Sequence, residues 1–137
     1  MLRQLVIGGL VSFCNISIHA LVMTIVVAVA RRASVARTPH PGLRLTGVMI
    51  AAVSVLMGAH TCEVMVWSLA YFIVGAAPEG SNLIYFAFVN YSTLGYGDIT
   101  PNRDWQLLGP LTAMNGVLMF GWSTAVIFEV LRKAMEK

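Results

Sequence analysis

From Leu5 to Ala30 the chain carries no formal charge. At about 1.5 Å of helical rise per residue, such a run crosses a hydrocarbon core of about 30 Å with room to tilt. Two further apolar runs follow, Leu45 to Ala77 with Glu63 as its one charged residue, and Leu107 to Leu131 with Glu129 as its one. Three such runs make the bilayer the expected solvent. Composition agrees, because 58% hydrophobic and 11% charged residues is far from the roughly one-quarter charged of a soluble domain. With 137 residues, three or four crossings leave little chain for a soluble regulatory domain. A secretory signal is the competing reading of the first run, since Arg3 precedes it and Ala28-Val29-Ala30 has the small residues of a cleavage site. The apolar region of such signals is only about 7 to 15 residues, so the length argues for a span.

The net charge of +3 points to membrane topology rather than to nucleic acid. Arg31, Arg32, Arg37 and Arg44 surround Thr38-Pro39-His40-Pro41-Gly42, a stretch whose prolines and glycine interrupt helices and whose charge favours the cytoplasmic side. The expected organisation is therefore a first spanning helix over 1–30 with its amino terminus outside, and a basic cytoplasmic loop over 31–44. A second spanning helix over 45–77 returns outward and is broken by Pro78-Glu79-Gly80. Ser81 and Asn82 are good caps for a helix over 81–92, which is too short to span and suits a re-entrant element. Asp98, Thr100, Asn102, Arg103 and Asp104 mark an outer surface, with Trp105 at interface depth. A last helix over 105–133 returns to a basic inner end at Arg132, Lys133 and Lys137. Cys14 and Cys62 fall inside apolar runs, so they read as core residues and not as a disulfide framework or a paired-thiol metal site.

Between the short helix and the last long one stands Thr93-Leu94-Gly95-Tyr96-Gly97-Asp98. It closely resembles the selectivity filter of the potassium-channel pore-domain family, commonly Thr-Val-Gly-Tyr-Gly-Asp, and the likeness extends into the preceding short helix and into Ile99-Thr100-Pro101. The resemblance covers about Leu45 to Leu131, with the first helix outside it, as in a small prokaryotic-type member bearing one extra helix. It implies an all-α membrane protein: three transmembrane helices, a re-entrant pore helix and an extended filter, assembled as a homotetramer around a central pore. It implies passive conduction of K⁺, with Thr93, Leu94, Gly95, Tyr96 and Gly97 holding K⁺ ions in the filter and no organic cofactor.

The chemistry behind that motif can be stated independently. A dehydrated cation needs its water shell replaced by oxygens, and backbone carbonyls offer partial charge without the trapping strength of carboxylates. Aiming successive carbonyls at one axis requires backbone conformations that a Cβ disfavours, which Gly95 and Gly97 supply. Irregular backbone at membrane depth is tolerated only where protein or water satisfies it. One chain supplies one strand and there is no internal duplication, so a cage requires several copies about a symmetry axis.

In many family members an acidic residue four positions before the filter threonine pairs with the filter aspartate. Here that position is Val89, and the resemblance points to Tyr85 or Trp105 as the support for Asp98. It also places a hinge glycine at Gly116; close helix packing by a small residue is an equal alternative. Glu129 either joins a ring of carboxylates at the inner mouth or pairs with Arg132 or Lys133 one turn away. The helix outside the pore region has no internal charge, which excludes an arginine-repeat voltage sensor.

Glu63 lies near the middle of a span, where an ionised carboxylate costs at least ~2.5 kcal/mol, so it should be protonated, paired or hydrated. His60 shares its helical face, and Trp67 and Tyr71 extend that face; His19 sits at similar depth in the first helix. Two readings stand, a proton-sensing or subunit-locking cluster and a polar contact that fixes helix packing. A metal site drawing on His19, His60, Glu63, Cys14 and Cys62 has suitable ligand types, though nothing in the spacing demands it. The alternatives to selective K⁺ conduction are a poorly selective Na⁺/K⁺ channel and a metal- or redox-binding membrane protein; covalent catalysis is not indicated.

Overall fold

A computed structural model describes residues 1–35 and 39–135; Arg37, Thr38 and Lys137 lie outside them. Among the described residues the chain is helical without strands: α1 spans Leu2–Val35, α2 Pro41–Val74, α3 Leu83–Tyr91 and α4 Leu108–Met135, with a 3₁₀ turn at Arg103–Trp105. The three long elements are each long and apolar enough to cross a membrane. Large apolar side chains such as Phe13, Phe72, Ile73 and Phe128 face outward, an exterior that lipid accepts and water does not.

The helices run further into the basic stretch than composition suggests. Arg31 and Arg32 continue α1, and Arg44 belongs to α2, so the expected loop over 31–44 is mostly helix. The physical reason is Pro41, which occupies the first turn of α2. There its missing N–H costs no hydrogen bond and its fixed φ suits the helix. The other end of α2 also comes earlier than expected. Gly75 adopts a left-handed φ of 63°, its N–H reaches the Phe72 carbonyl and that of Ala76 reaches Tyr71, a glycine stop that ends the helix before Pro78 is reached.

α3 begins at Asn82, whose side-chain oxygen accepts from the Tyr85 backbone N–H at 3.1 Å, the capping bond that compensates an orphan donor. Its nine residues rise only about 14 Å, half a hydrocarbon core or less. Aromatic packing holds it down: Phe86 and Tyr91 are buried with Trp67, Tyr71, Trp105 and Leu108. A second core at the opposite end joins Met23, Val26 and Ala30 of α1 to Leu56 of α2 and Val126 and Val130 of α4. Helices in lipid gain little from apolar burial, so close packing and buried hydrogen bonds decide their association. Both occur here: a Cβ on Gly8 would stand 2.5 Å from Leu111 of α4, and Gln4 accepts from the Leu107 backbone N–H at 2.8 Å.

Cys14 and Cys62 are free and exposed, contrary to the core placement expected. They lie inside apolar runs, but on faces that α1 and α2 turn away from the bundle, and in a lipid-facing helix an apolar run no longer marks the interior.

Candidate functional site

The Thr93–Asp98 segment leaves the carboxyl end of α3 while still tied to it. The Thr93 N–H donates to the Asn90 carbonyl at 3.0 Å, and the N–H groups of Leu94 and Gly95 both reach the Val89 carbonyl, at 2.9 and 3.4 Å. These bonds use the last orphan carbonyls of the helix and pin the start of the segment. Beyond them the backbone alternates: Thr93, Gly95 and Gly97 have φ of 62°, 61° and 78°. The two glycines meet no Cβ penalty there. Thr93 does, and its left-handed conformation is a strained feature that residue type alone did not signal.

All residues from Ser92 to Asp98 are exposed in the single chain, including the side chains of Leu94 and Tyr96. Thr93 borders an apolar hollow formed with Ala113, Met114, Val117 and Leu118 of α4. At the far end of the segment, Tyr85 and Asp98 come together. The Asp98 carboxylate accepts a hydrogen bond from the Tyr85 hydroxyl and holds that phenol above its ordinary value of 10.0. Trp105 is buried in the core, with the Arg3 guanidinium 4.3 Å over its ring. The return path is anchored by Asn102, whose N–H donates to the Ala76 carbonyl at 2.7 Å and whose side chain donates to Gly75 at 2.9 Å.

Behind α3 lies a buried polar cluster. His19 Nδ1 of α1 lies 2.7 Å from Glu63 Oε1, and both side chains are 0% exposed. His60 Nδ1 lies 3.2 Å from Glu63 Oε2, and the Tyr91 hydroxyl of α3 donates to the same oxygen. Ser123 of α4 places its Oγ 3.0 Å from His60 Nε2 and 3.4 Å from His19 Nε2. A second tier continues along the same face of α2. Asn15 donates to the Glu63 carbonyl and to Asn115 Oδ1, which also accepts from Trp67 Nε1 at 3.0 Å. Tyr71 pairs with Thr112. The tertiary structure thus brings His19, His60 and Glu63 together, while exposed Cys14 and Cys62 stand apart.

His19, His60 and Glu63 could hold a metal by donor type, with ligand atoms within 4.8 Å of one another. Those atoms are already engaged in hydrogen bonds with each other, Tyr91 and Ser123, so the cluster is complete as a polar contact. Tyr91, Ser123, Asn15 and Asn115 were absent from the sequence-derived candidates. The signal available for them was an isolated polar residue within an apolar run.

Gly116 sits where α4 passes the end of α3, and a Cβ there would run into the Tyr91 carbonyl. Glu129 pairs with Arg132, whose Nε and one terminal nitrogen each lie 2.9 Å from a carboxylate oxygen, and lies 3.8 Å from Lys133.

Against known proteins, the model of a family described as ion channels matches residues 59–133, more than half of the chain. No curated protein and no solved structure matches it. The matched stretch takes in His60, Glu63, α3, the Thr93–Asp98 segment and most of α4, and leaves α1 outside.

Proposed function

This chain belongs to the ion-channel family, and from that premise we propose that four copies assemble around one axis to conduct K⁺ passively and selectively across a membrane. In this reading α3 is the pore helix, Thr93 to Gly97 present their main-chain oxygens to dehydrated K⁺, and Asp98 closes the outer end with support from Tyr85. The observation that carries it is the recurrence of left-handed backbone at Thr93, Gly95 and Gly97 in a segment left exposed by its own chain. An ordinary β-strand sends successive carbonyls to opposite sides, whereas alternating backbone hand lets them share one side. Exposed carbonyls on one side of a strand at membrane depth need partners, which ions, water and other copies supply.

Several features support the assembly. The inner face of α4 below Thr93 is apolar and exposed, as the wall of a cavity beneath a filter would be. The carboxyl end of α3 points its partial negative charge toward the same segment, which favours a cation there. Antiparallel helix order brings Arg31, Arg32, Arg44, Arg132 and Lys133 to one end of the bundle. By the positive-inside rule that end is cytoplasmic, which puts the amino terminus outside and the filter near the outer surface.

Reconstitution in liposomes tests this. With a K⁺ gradient and then a Na⁺ gradient imposed, wild-type protein should pass K⁺ readily and Na⁺ far less, because the carbonyl ring replaces the hydration shell of one cation better than that of the other. Equal K⁺ and Na⁺ flux would favour a poorly selective cation channel, and cross-linked mass other than four copies would remove the tetramer.

A further inference from the structure

α1 lies outside the region matched to the channel family, yet its His19 is buried against Glu63, and Glu63 holds the hydroxyl of Tyr91. We propose that α1 supplies the counter-charge that keeps Glu63 ionised in the bundle, and that Glu63 in turn acts as a positioning residue for the ion filter by anchoring Tyr91. This rests on the filter reading above and adds what holds the filter's inner end.

The hydrogen-bond count of the cluster motivates the first half. With Glu63 ionised, as proposed, its carboxylate only accepts, so His19 Nδ1 and His60 Nδ1, the latter also 3.1 Å from the Tyr91 hydroxyl, both carry hydrogens. Ser123 Oγ then stands between two Nε2 atoms, at 3.0 and 3.4 Å, with a single hydrogen to donate. The hydroxyl satisfies both neighbours only if it donates to one Nε2 and accepts from a protonated other. In that state the ring from Glu63 through His19, Ser123 and His60 back to Glu63 closes with one imidazolium. One imidazolium and one carboxylate cancel, which is the condition for burying either in lipid. The groups facing Glu63 are His19 from α1, His60 from its own helix and Tyr91 from α3, and α4 contributes Ser123.

The second half follows from where Tyr91 sits. It is the last residue of α3, two positions before strained Thr93, and its backbone carbonyl is pressed against Gly116 of α4. Val89 and Asn90, whose carbonyls tether Leu94, Gly95 and Thr93, are the two residues before it. Fixing the Tyr91 side chain to a buried carboxylate thus fixes the helix end from which the filter departs. Asp98 at the other end has its own donor in Tyr85, so each end of the segment is held by one tyrosine–carboxylate bond, the inner one by Tyr91 and Glu63.

The test is the K⁺/Na⁺ permeability ratio, from reversal potentials of the full-length protein, with tetramer formation checked by size exclusion. Tyr91→Phe keeps the ring and removes only the hydroxyl. The ratio should fall about tenfold, the factor a lost hydrogen bond to a charged group shifts between two conformations. His19→Gln should lower it too, by leaving Glu63 without its counter-charge, and adding Glu63→Gln to His19→Gln should recover most of the loss. Gln4→Leu removes a part-buried bond from α1 to the Leu107 N–H just before α4; it should lower the melting temperature and leave the ratio unchanged, which separates positioning from general stability. An assembled Tyr91→Phe channel within about twofold of wild type, well short of the effect of one charge-assisted bond, overturns the inference. So does a His19→Gln loss that Glu63→Gln does not relieve, and this arm decides alone if Tyr91→Phe does not assemble. A wild-type channel without K⁺ preference would remove the filter reading itself, and this inference with it.

Discussion

Two polar regions flank Tyr91 and satisfy themselves in opposite ways. Behind it, Glu63, His19, His60 and Ser123 are buried and bonded to one another across three long helices. Ahead of it, Thr93 to Asp98 is exposed along its whole length, with left-handed backbone at every second residue to Gly97. The first region is bonded within one chain, side chain to side chain. The second is tied to its own chain only near its ends, by the N–H groups of Thr93, Leu94 and Gly95 and by the Asp98 carboxylate, and stays exposed throughout. Substitutions in the first should therefore cost stability and reach conduction only through Tyr91, whereas those in the second should act on conduction directly, and the following variants are arranged to break that division.

The largest effect is expected at Gly97. Its φ of 78° costs a residue with a Cβ about 1–2 kcal/mol, and four subunits would incur it together. Gly97→Ala should cut K⁺ flux in liposomes to near background while the melting temperature moves little; a flux close to wild type would erase the contrast between the regions. Glu63→Leu should show first in stability. It strands the Tyr91 hydroxyl and both imidazoles, and each buried polar group left without its partner costs about 1–3 kcal/mol, readable as a marked fall in the thermal midpoint in detergent. Gly116 tests the boundary between them. Gly116→Ala must separate α4 from the Tyr91 carbonyl, which is backbone and cannot rotate away, so about 1–3 kcal/mol of overpacking is expected. A thermal shift accompanied by lost selectivity would mean that the two regions are mechanically joined at this point.

The smallest effect concerns Tyr85 and Asp98. The carboxylate favours the protonated phenol and raises its titration above 10.0. A raised value means that the contact contributes fully below the ordinary phenol range and is lost as pH climbs through the raised one. Asp98→Asn should return the Tyr85 transition toward 10.0 in the ultraviolet difference spectrum against Tyr85→Phe, and an unmoved transition would show that Asp98 is not its cause.

Much of this architecture was legible because membrane spans are declared by length and apolarity within one segment. The motif around Gly95 and Gly97 was legible for a related reason, since a backbone requirement for glycine is local. Boundaries were harder. Pro41 read as a break and serves as a helix start, because the same fixed φ does either according to its position in the turn. Cys14 and Cys62 read as core and are exposed, because in an apolar solvent hydrophobicity does not separate inside from outside.

The sequence by itself determined three apolar spans, a helix too short to cross, and a glycine-spaced segment after it, all consequences of solvent preference and backbone sterics acting over a few neighbouring residues. Only the tertiary structure decided that His19 meets Glu63, that Tyr91 hangs from the same carboxylate, and that Ser123 stands between two imidazoles. Those pairings join residues up to 104 positions apart. They depend on the rotation and depth at which four helices pack, which apolar periodicity specifies weakly when lipid is as welcoming as protein.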